Sequence, residues 1–477
     1  MKKVLSLISA MALLATMTAC GGDESSDSSS SKKEENSSSS TVDESSSDES
    51  KDESSADDSG EQQTINLWAF TEEVPGMMDK YIELNPDFGK KYKIEKTVIA
   101  TTNGEYQPAL DAALNAGGKD APDLYCAEAA FILKYSQGSA CQYAASYKDL
   151  GLDVDAKIEE AQIAPYSVEI GTNPSGDVVG LGYQATGGAF IYRRSIAKDA
   201  FGSDDPEKVG EAIGSGSQSL DKFWEAAETL KGKGYGIISG DGDLWHAVEN
   251  SSDSAWVVDG KLNIDPKREA FLDYSKQLID NKYHNDTTDW QDAWFADMKD
   301  EGEKKIFGFF GPAWLINYTI GQNCGDTAGD WAVCAPPVGF FWGGTWLLAN
   351  KDSEVKEGVG EFINWVTLDS SETGLQYMWA NGTYDPDSGT KDAVASSTVM
   401  ANSDGSLEFL GGQNMFDVFV PANEYANGKN LSEYDEKINQ FWRDQVRMYS
   451  SGQKSKEDAI KDFKQNVADN IDIEVEF

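Results

Sequence analysis

Hydrophobic positions along the chain recur with two periods, and the way they alternate predicts the order of elements. In TINLWAF (64–70), Ile65, Leu67 and Ala69 alternate with Asn66, Trp68 and Phe70, the two-residue period of a strand. Val74, Met77, Met78, Tyr81 and Ile82 then repeat at helical spacing until Asn85-Pro86 stops them. A second strand over 92–100 leads to a helix with Ala109, Leu110, Ala113 and Leu114 inward and Gly117 at its end. Pro122-Asp123-Leu124-Tyr125-Cys126 opens a third strand. This order predicts an open parallel sheet, in which ligands bind beyond the carboxyl ends of the strands. Trp68, Phe70 and Glu128 fall at those ends.

Two short strands, 178–182 and 189–193, flank Tyr183-Gln184-Ala185-Thr186-Gly187-Gly188, a polar, glycine-containing stretch suited to crossing between lobes. A second α/β run follows: a helix over 220–232, a strand over 236–239, a helix over 266–281 and a strand over 306–310 ending in Gly311-Pro312-Ala313-Trp314. Trp331-Ala332-Val333 and Trp342–Leu348 are expected to return toward the first lobe. Two amphipathic helices close the chain, one carrying Ile438, Phe441 and Trp442, the other opened by Ser455 and carrying Ile460, Phe463 and Val467. No fixed-period repeat is present.

The N-terminal end has a different character. Lys2 and Lys3 precede an apolar run from Val4 to Met17 and then Thr18-Ala19-Cys20. That is the layout of a secretory signal, too short for a membrane span. The cysteine directly after small residues resembles the bacterial lipobox, with Met17 where Leu is usual. The resemblance implies cleavage before Cys20 and its lipid modification; the alternative is an ordinary signal peptide with an unrelated cysteine. Residues 21–63 are mostly Ser, Asp and Glu, with almost no apolar side chains and 14 acids against 3 lysines. Such a segment cannot bury enough surface to offset its chain entropy. It is expected to be a disordered tether, of a length that suits a Gram-positive wall.

Residues 64–477 exceed what one core organises, so two lobes are expected. Of the formal charge of −42, the first 19 residues carry +2 and the tether −11, which leaves −33 on the folded part. That surface repels nucleic acid, anionic lipid and anionic ligands, and is indifferent to neutral ones. Only two histidines, His246 and His284, are available for nucleophilic triads or metal centres, and no Cys/His spacing suggests zinc. Cys324 and Cys334 flank a glycine-containing loop and are candidates for a short disulfide, with buried free thiols an equal alternative. Thirteen tryptophans, by contrast, offer ring faces for stacking.

The folded part resembles the family 1 extracellular solute-binding proteins, the sugar-binding components of ABC importers. The landmarks run in the family's order: the opening strand, Ala121-Pro122-Asp123, the crossover near Gly182, Gly-Pro-Ala-Trp at 311–314, Gly-Gly at 343–344 and the closing helix at 455–471. The resemblance implies an α/β, two-lobed, periplasmic-binding-protein-like fold with open sheets and hinge crossover strands. It further implies a non-enzymatic monomer that closes on a neutral oligosaccharide and delivers it to a membrane permease, with no cofactor and no metal. The expected organisation is a signal peptide (1–19), lipidated cysteine and tether (20–63), lobe 1 (64–184), lobe 2 (185–334), lobe 1 again (335–390), and lobe 2 with the closing helices (391–477).

The candidate ligand residues follow from where the family places its contacts. Trp68 and Phe70 end the first strand; Glu128 follows the third, or else serves as a helix N-terminal carboxylate. Gln184 lies at the crossover, for ligand or for a hinge hydrogen bond. Asp241, Asp243 and Trp245 occupy Gly240-Asp241-Gly242-Asp243-Leu244-Trp245-His246, which fits sugar contact, a plain turn or calcium, although the EF-hand loop is absent. Trp314 matches a family aromatic that stacks on a sugar ring. Trp342 and Trp346 flank the two glycines, and Asp417 falls in a late second-lobe contact region. Trp290, Asp292 and Trp294 cluster at helical spacing and are expected chiefly to pack the second lobe.

Overall fold

The computed structural model describes residues 62–101 and 104–477; the signal peptide, Cys20 and all but the last two tether residues lie outside the described part. The first lobe is built on a five-stranded sheet in the order Tyr92–Val98, Gln63–Ala69, Leu124–Glu128, Thr345–Ala349, Gly180–Gly182. The first three run parallel, as the strand–helix–strand pattern predicts. Thr345–Ala349 runs antiparallel to both its neighbours, so the sheet is mixed. The chain returning from the second lobe enters at the carboxyl ends of the parallel strands and can only run back against them.

Alternation decides which side chains face the core. In the opening strand Ile65, Leu67 and Ala69 are buried while Asn66 and Trp68 are half-buried. The following helix, Glu73–Leu84, turns Val74, Met77, Met78 and Tyr81 inward. Asp123 ties the lobe together: its carboxylate accepts the Asn66 N–H at 2.9 Å and the Ser353 hydroxyl at 2.6 Å. The Ala-Pro-Asp landmark is therefore a clasp between the opening strand and the returning chain.

The second lobe holds a three-stranded antiparallel sheet in the order Gly308–Gly311, Ala189–Arg193, Trp331–Cys334. Trp331-Ala332-Val333 thus stays in the second lobe, and only the later segment returns. The expected strand over 236–239 does not form. A single bridge joins Gly236 to Ile306, and the Ser239 and Gly240 amides instead donate to Asp243 at 3.0 Å, opening the helix Asp241–Asn250. The closing helices, Asp435–Ser450 and Lys456–Asn470, pack Ile438, Trp442, Phe463 and Val467 onto this lobe, with Ser455 accepting the Asp458 N–H as the N-cap.

Of the two alternatives open for Cys324 and Cys334, the structure has the buried free thiols and not the disulfide. Successive residues of Trp331–Cys334 point to opposite faces of the sheet. Trp331 and Val333 join the cluster that contains Cys324, whereas Ala332 and Cys334 join the other. The sheet itself separates the two sulfurs.

The chain segments that cross between the lobes include 183–188, 335–344 and 391–396, the first two cross-linked by the Gly188 N–H to Phe340 and the Trp342 N–H to Thr186, the first and third by the Ala185 N–H to Ala393 and the Ala395 N–H to Tyr183. Farther out the lobes touch through Ser139, whose hydroxyl donates to Glu433 at 2.6 Å, and through Gln107, whose amide donates to Glu436. Among the described residues, no helix is long and apolar enough to cross a membrane.

Candidate functional site

Four aromatic rings meet where the crossing segments open between the lobes. The His246 imidazole stacks on the Trp342 indole at 3.6 Å with the planes 13° apart. Trp342 meets Trp314 edge-on at 4.8 Å, and the Trp314 Nε1–H donates to the Trp342 carbonyl at 3.2 Å. Trp290 lies parallel to Trp314 at 6.2 Å and is 39% exposed. Hydrogen-bonding Trp314 to the backbone fixes its ring plane, so its free face is presented rather than mobile.

The local backbone explains why these rings stand where they do. Trp314 follows the strand Gly308–Gly311 and opens a π-helical turn, Leu315–Ile320, a rare geometry that is enriched at functional sites. Gly343 and Gly344 take φ of +72° and +109°, conformations that side chains resist, and they swing Trp342 away from the strand that follows. Trp290 itself has φ of +64°, a strained value for a bulky residue.

His246 is held by Asp289, Nε2 to Oδ2 at 3.3 Å. Burial holds the imidazole below its usual pKa against the opposing pull of Asp289, so the ring is neutral at pH 7. Burial acts to raise the Asp289 carboxyl, but the His246 hydrogen bond and the Arg443 charge overcome it and keep it well below the usual carboxylate range. A neutral imidazole on an indole makes a flat platform with no net charge of its own.

Glu128 reaches this cluster from the first lobe. One oxygen accepts the Ala130 N–H at 2.8 Å, while Oε1 lies 3.7 Å from where a Cβ on Gly343 would stand, beside Trp314. Burial, with Glu436 and Glu249 of the second lobe adding repulsion, raises its pKa to about 7. It is thus poised to donate or accept toward a hydroxyl. On the other side of Trp314 a hollow of about 240 Å³ is walled by Trp314, Tyr318, Trp379 and Tyr384, with Glu73 and Asp392 among its lining. A larger hollow of about 410 Å³ beside the crossover, lined by Tyr166, Val394 and Met400, has one aromatic ring and few polar groups to orient a ligand.

Of the residues proposed from sequence, Glu128, Trp314 and Trp342 are brought together. Trp68 is half-buried against the first-lobe core, its carbonyl 3.4 Å from the Tyr106 hydroxyl, and Phe70 packs edge-on against Tyr106 and Phe131. Gln184 is buried at the crossover, where its carbonyl accepts the Tyr166 hydroxyl at 2.9 Å. Asp241 is occupied by Arg443 at 2.6 Å and Ser275 at 2.7 Å, and Asp243 by two backbone amides and Trp294 Nε1. Those donors leave the pair little to offer calcium, and among the described residues no group of acids, Cys or His is arranged for a metal. Trp245 is buried against Phe271 in the second lobe. Trp346 is buried with its Nε1–H on the Ser167 carbonyl, and Asp417 is exposed, accepting from Asn414. Sequence reasoning missed His246, Asp289, Glu73 and Asp392, and it grouped Trp290 with the core residue Trp294.

Residues 84–404 match the profile of the bacterial extracellular solute-binding proteins. The chain belongs to that family. No curated protein matches it in sequence. Many solved solute-binding structures share the fold. The galacto-N-biose-/lacto-N-biose I-binding protein of the Bifidobacterium longum ABC transporter, in complex with lacto-N-biose, superposes with a TM-score of 0.65 at 18% identity, covering 88% of this chain and 100% of that one. The ABC substrate-binding protein Lmo0181 of Listeria monocytogenes, in complex with cycloalternan, gives 0.63 at 14% identity over 87% and 100%. Maltose-bound MalE3 of T. maritima gives 0.60 at 15% over 85% and 99%. The two-lobed fold expected from the landmarks is therefore that of the solute-binding proteins, with the crossing segments as the hinge.

Proposed function

We propose that this solute-binding protein captures a neutral carbohydrate, in size an oligosaccharide, between its lobes and hands it unaltered to an ABC permease. Lipid attachment through Cys20 would hold it at the outer face of the cell membrane, with the acidic tether giving the lobes reach. The observation that carries the reading is the convergence of Trp290, Trp314 and Trp342 on Glu128 at the mouth of the hinge. Ring faces suit the apolar C–H face of a sugar, and a carboxyl suits a hydroxyl that would otherwise be buried unpaired. The carbohydrates named for the solved relatives agree with it. A ligand bridging both lobes favours the closed form by its differential affinity, and closure is what a permease would read.

Calorimetric titration against a panel of neutral oligosaccharides, with the ligand recovered afterwards, tests this. Single-site binding with intact ligand is expected. Shortened products would make the protein a glycoside hydrolase. Binding only to polymer would make it a surface adhesin.

A further inference from the structure

The hollow beyond Trp314 has a chemistry that a purely neutral sugar does not explain. Two carboxyl groups line it, Glu73 from the first lobe and Asp392 from the returning chain, 319 residues apart in sequence, with Asp385 at the rim. Asp392 is only 8% exposed. Its Oδ1 accepts the adjacent Ala393 N–H at 2.7 Å, and among the described residues its other oxygen has no donor. Glu73 has the Tyr183 hydroxyl as its donor.

No Lys, Arg or His is among the lining residues. The neighbouring base in sequence, Lys391, turns its ammonium away, onto the carbonyls of Asp404 and Ser406 at 2.6 and 3.3 Å. Burial raises both carboxyls, with the Glu73 hydrogen bond from Tyr183 and the Asp392 bond from Ala393 opposing it, and Glu73 adds to the Asp392 shift. Two carboxyl groups lining one low-dielectric hollow without a counter-ion resist ionising, and a cation placed between them would favour their charged form. The walls supply the remaining clue: Trp379 stands edge-on to both Tyr183 at 5.4 Å and Tyr384 at 6.1 Å, with Trp314 and Tyr318 completing the enclosure. Aromatic faces around carboxylates attract a cation through the ring quadrupole as well as through charge.

We infer that this hollow is a subsite for a protonated amino group, so that the carbohydrate held by the cleft carries an amine at one end. The inference rests on the carbohydrate reading above and departs from it only in adding that charge. A hydroxyl can hydrogen-bond Asp392 but does nothing to favour the ionised form of the pair. An ammonium does both, and its N–H groups reach the oxygen that has no protein donor. The acidic exterior also favours arrival of such a ligand.

The test uses the full chain at pH 7 and 0.15 M salt, which screens the attraction any cation feels for an acidic surface. Five probes are titrated, followed by tryptophan fluorescence: a β-1,4-linked glucosamine trimer, its fully N-acetylated form, the corresponding glucose trimer, and propylammonium and propanol as a pocket-sized pair. We expect the glucosamine trimer to bind at least tenfold more tightly than the acetylated form, and propylammonium but not propanol to saturate. Both preferences should fall at least tenfold in Asp392→Asn and in Glu73→Gln, with both variants folded by circular dichroism. Equal affinity for amine, acetylated and neutral trimers overturns the inference and leaves the carbohydrate reading standing. Saturable, Asp392-dependent binding of propylammonium with no sugar bound overturns the carbohydrate reading and leaves the ammonium subsite. An amine preference that survives both substitutions assigns the attraction to the general surface and overturns the subsite. No binding of any probe overturns both.

Discussion

Removing the Trp314 ring by Trp314→Ala should weaken carbohydrate binding while leaving the fold intact. The indole is half-buried, with one face toward Trp290 and its Nε1–H on the Trp342 carbonyl. A tryptophan carries roughly 200 Å² of surface, and with most of the Trp314 ring already covered on the order of 50 Å² remains for a ligand to cover. At about 25 cal/mol per Å², that burial is worth roughly 1.3 kcal/mol, and stacking on the ring adds roughly 0.5–1.5 kcal/mol. Relaxation of Trp342, which loses an edge-on neighbour at 4.8 Å, offsets part of this or adds to it. The expected loss is therefore about 1–3 kcal/mol, roughly 5- to 150-fold in Kd. Calorimetric titration of the wild type and the variant measures it. Trp346→Phe serves as the control: that ring is buried against the crossover, so its substitution should shift the melting temperature and leave Kd alone. An unchanged Kd for a folded Trp314→Ala protein would refute the placement of the ligand on that ring.

Glu128, Asp243 and Glu249 are each raised to about pH 7, mainly by burial. The folded state keeps protons that the unfolded chain has already lost near pH 4, so these groups make stability fall as pH rises from about 4.5 to 7 and level off above. Thermal melts at pH 5.5 and 7.5 should show the lower midpoint at pH 7.5, and Glu128→Gln should reduce the difference; a higher midpoint at pH 7.5 would contradict the burial argument. Arg443→Met strands Asp241, a buried carboxylate 2.6 Å from the guanidinium, and should cost about 3–5 kcal/mol in urea unfolding, with part regained on adding Asp241→Asn. Thiol titration of the unreduced, denatured protein should find Cys126, Cys141, Cys324 and Cys334 all reactive, and reductant should leave the melting temperature unchanged.

What the sequence disclosed, and what it hid, follows from how each feature is encoded. The alternation of Ile65, Leu67 and Ala69 and the stripe from Val74 to Tyr81 are local, and the structure keeps them within a residue or two. Glu128 and Trp314 were legible because each closes a strand, and strand ends are where such folds carry ligands. Trp245 and His246 show the limit. They are neighbours on one helix, about 100° apart, and which of the two faces the cleft depends on how that helix docks. Docking buries Trp245 against Phe271 and gives His246 to Trp342. Asp243 carries a local signal for its helix: an acid three residues after Gly240, able to accept the amides that begin it. Helical spacing joined Trp290 to Trp294, yet the helix begins only at Asp292, and a left-handed turn sends Trp290 outward. Glu73 and Asp392 meet only because the chain returns, which no local pattern records.

If both lobes grip one ligand, hydrogen–deuterium exchange with and without bound oligosaccharide shows it most directly. Protection should rise together in the first lobe around Glu128–Phe131 and in the second around Ala313–Asn317, with the crossing segment 341–344 slowed as well. Protection confined to one lobe, or unchanged exchange in a protein that binds the sugar, would contradict it.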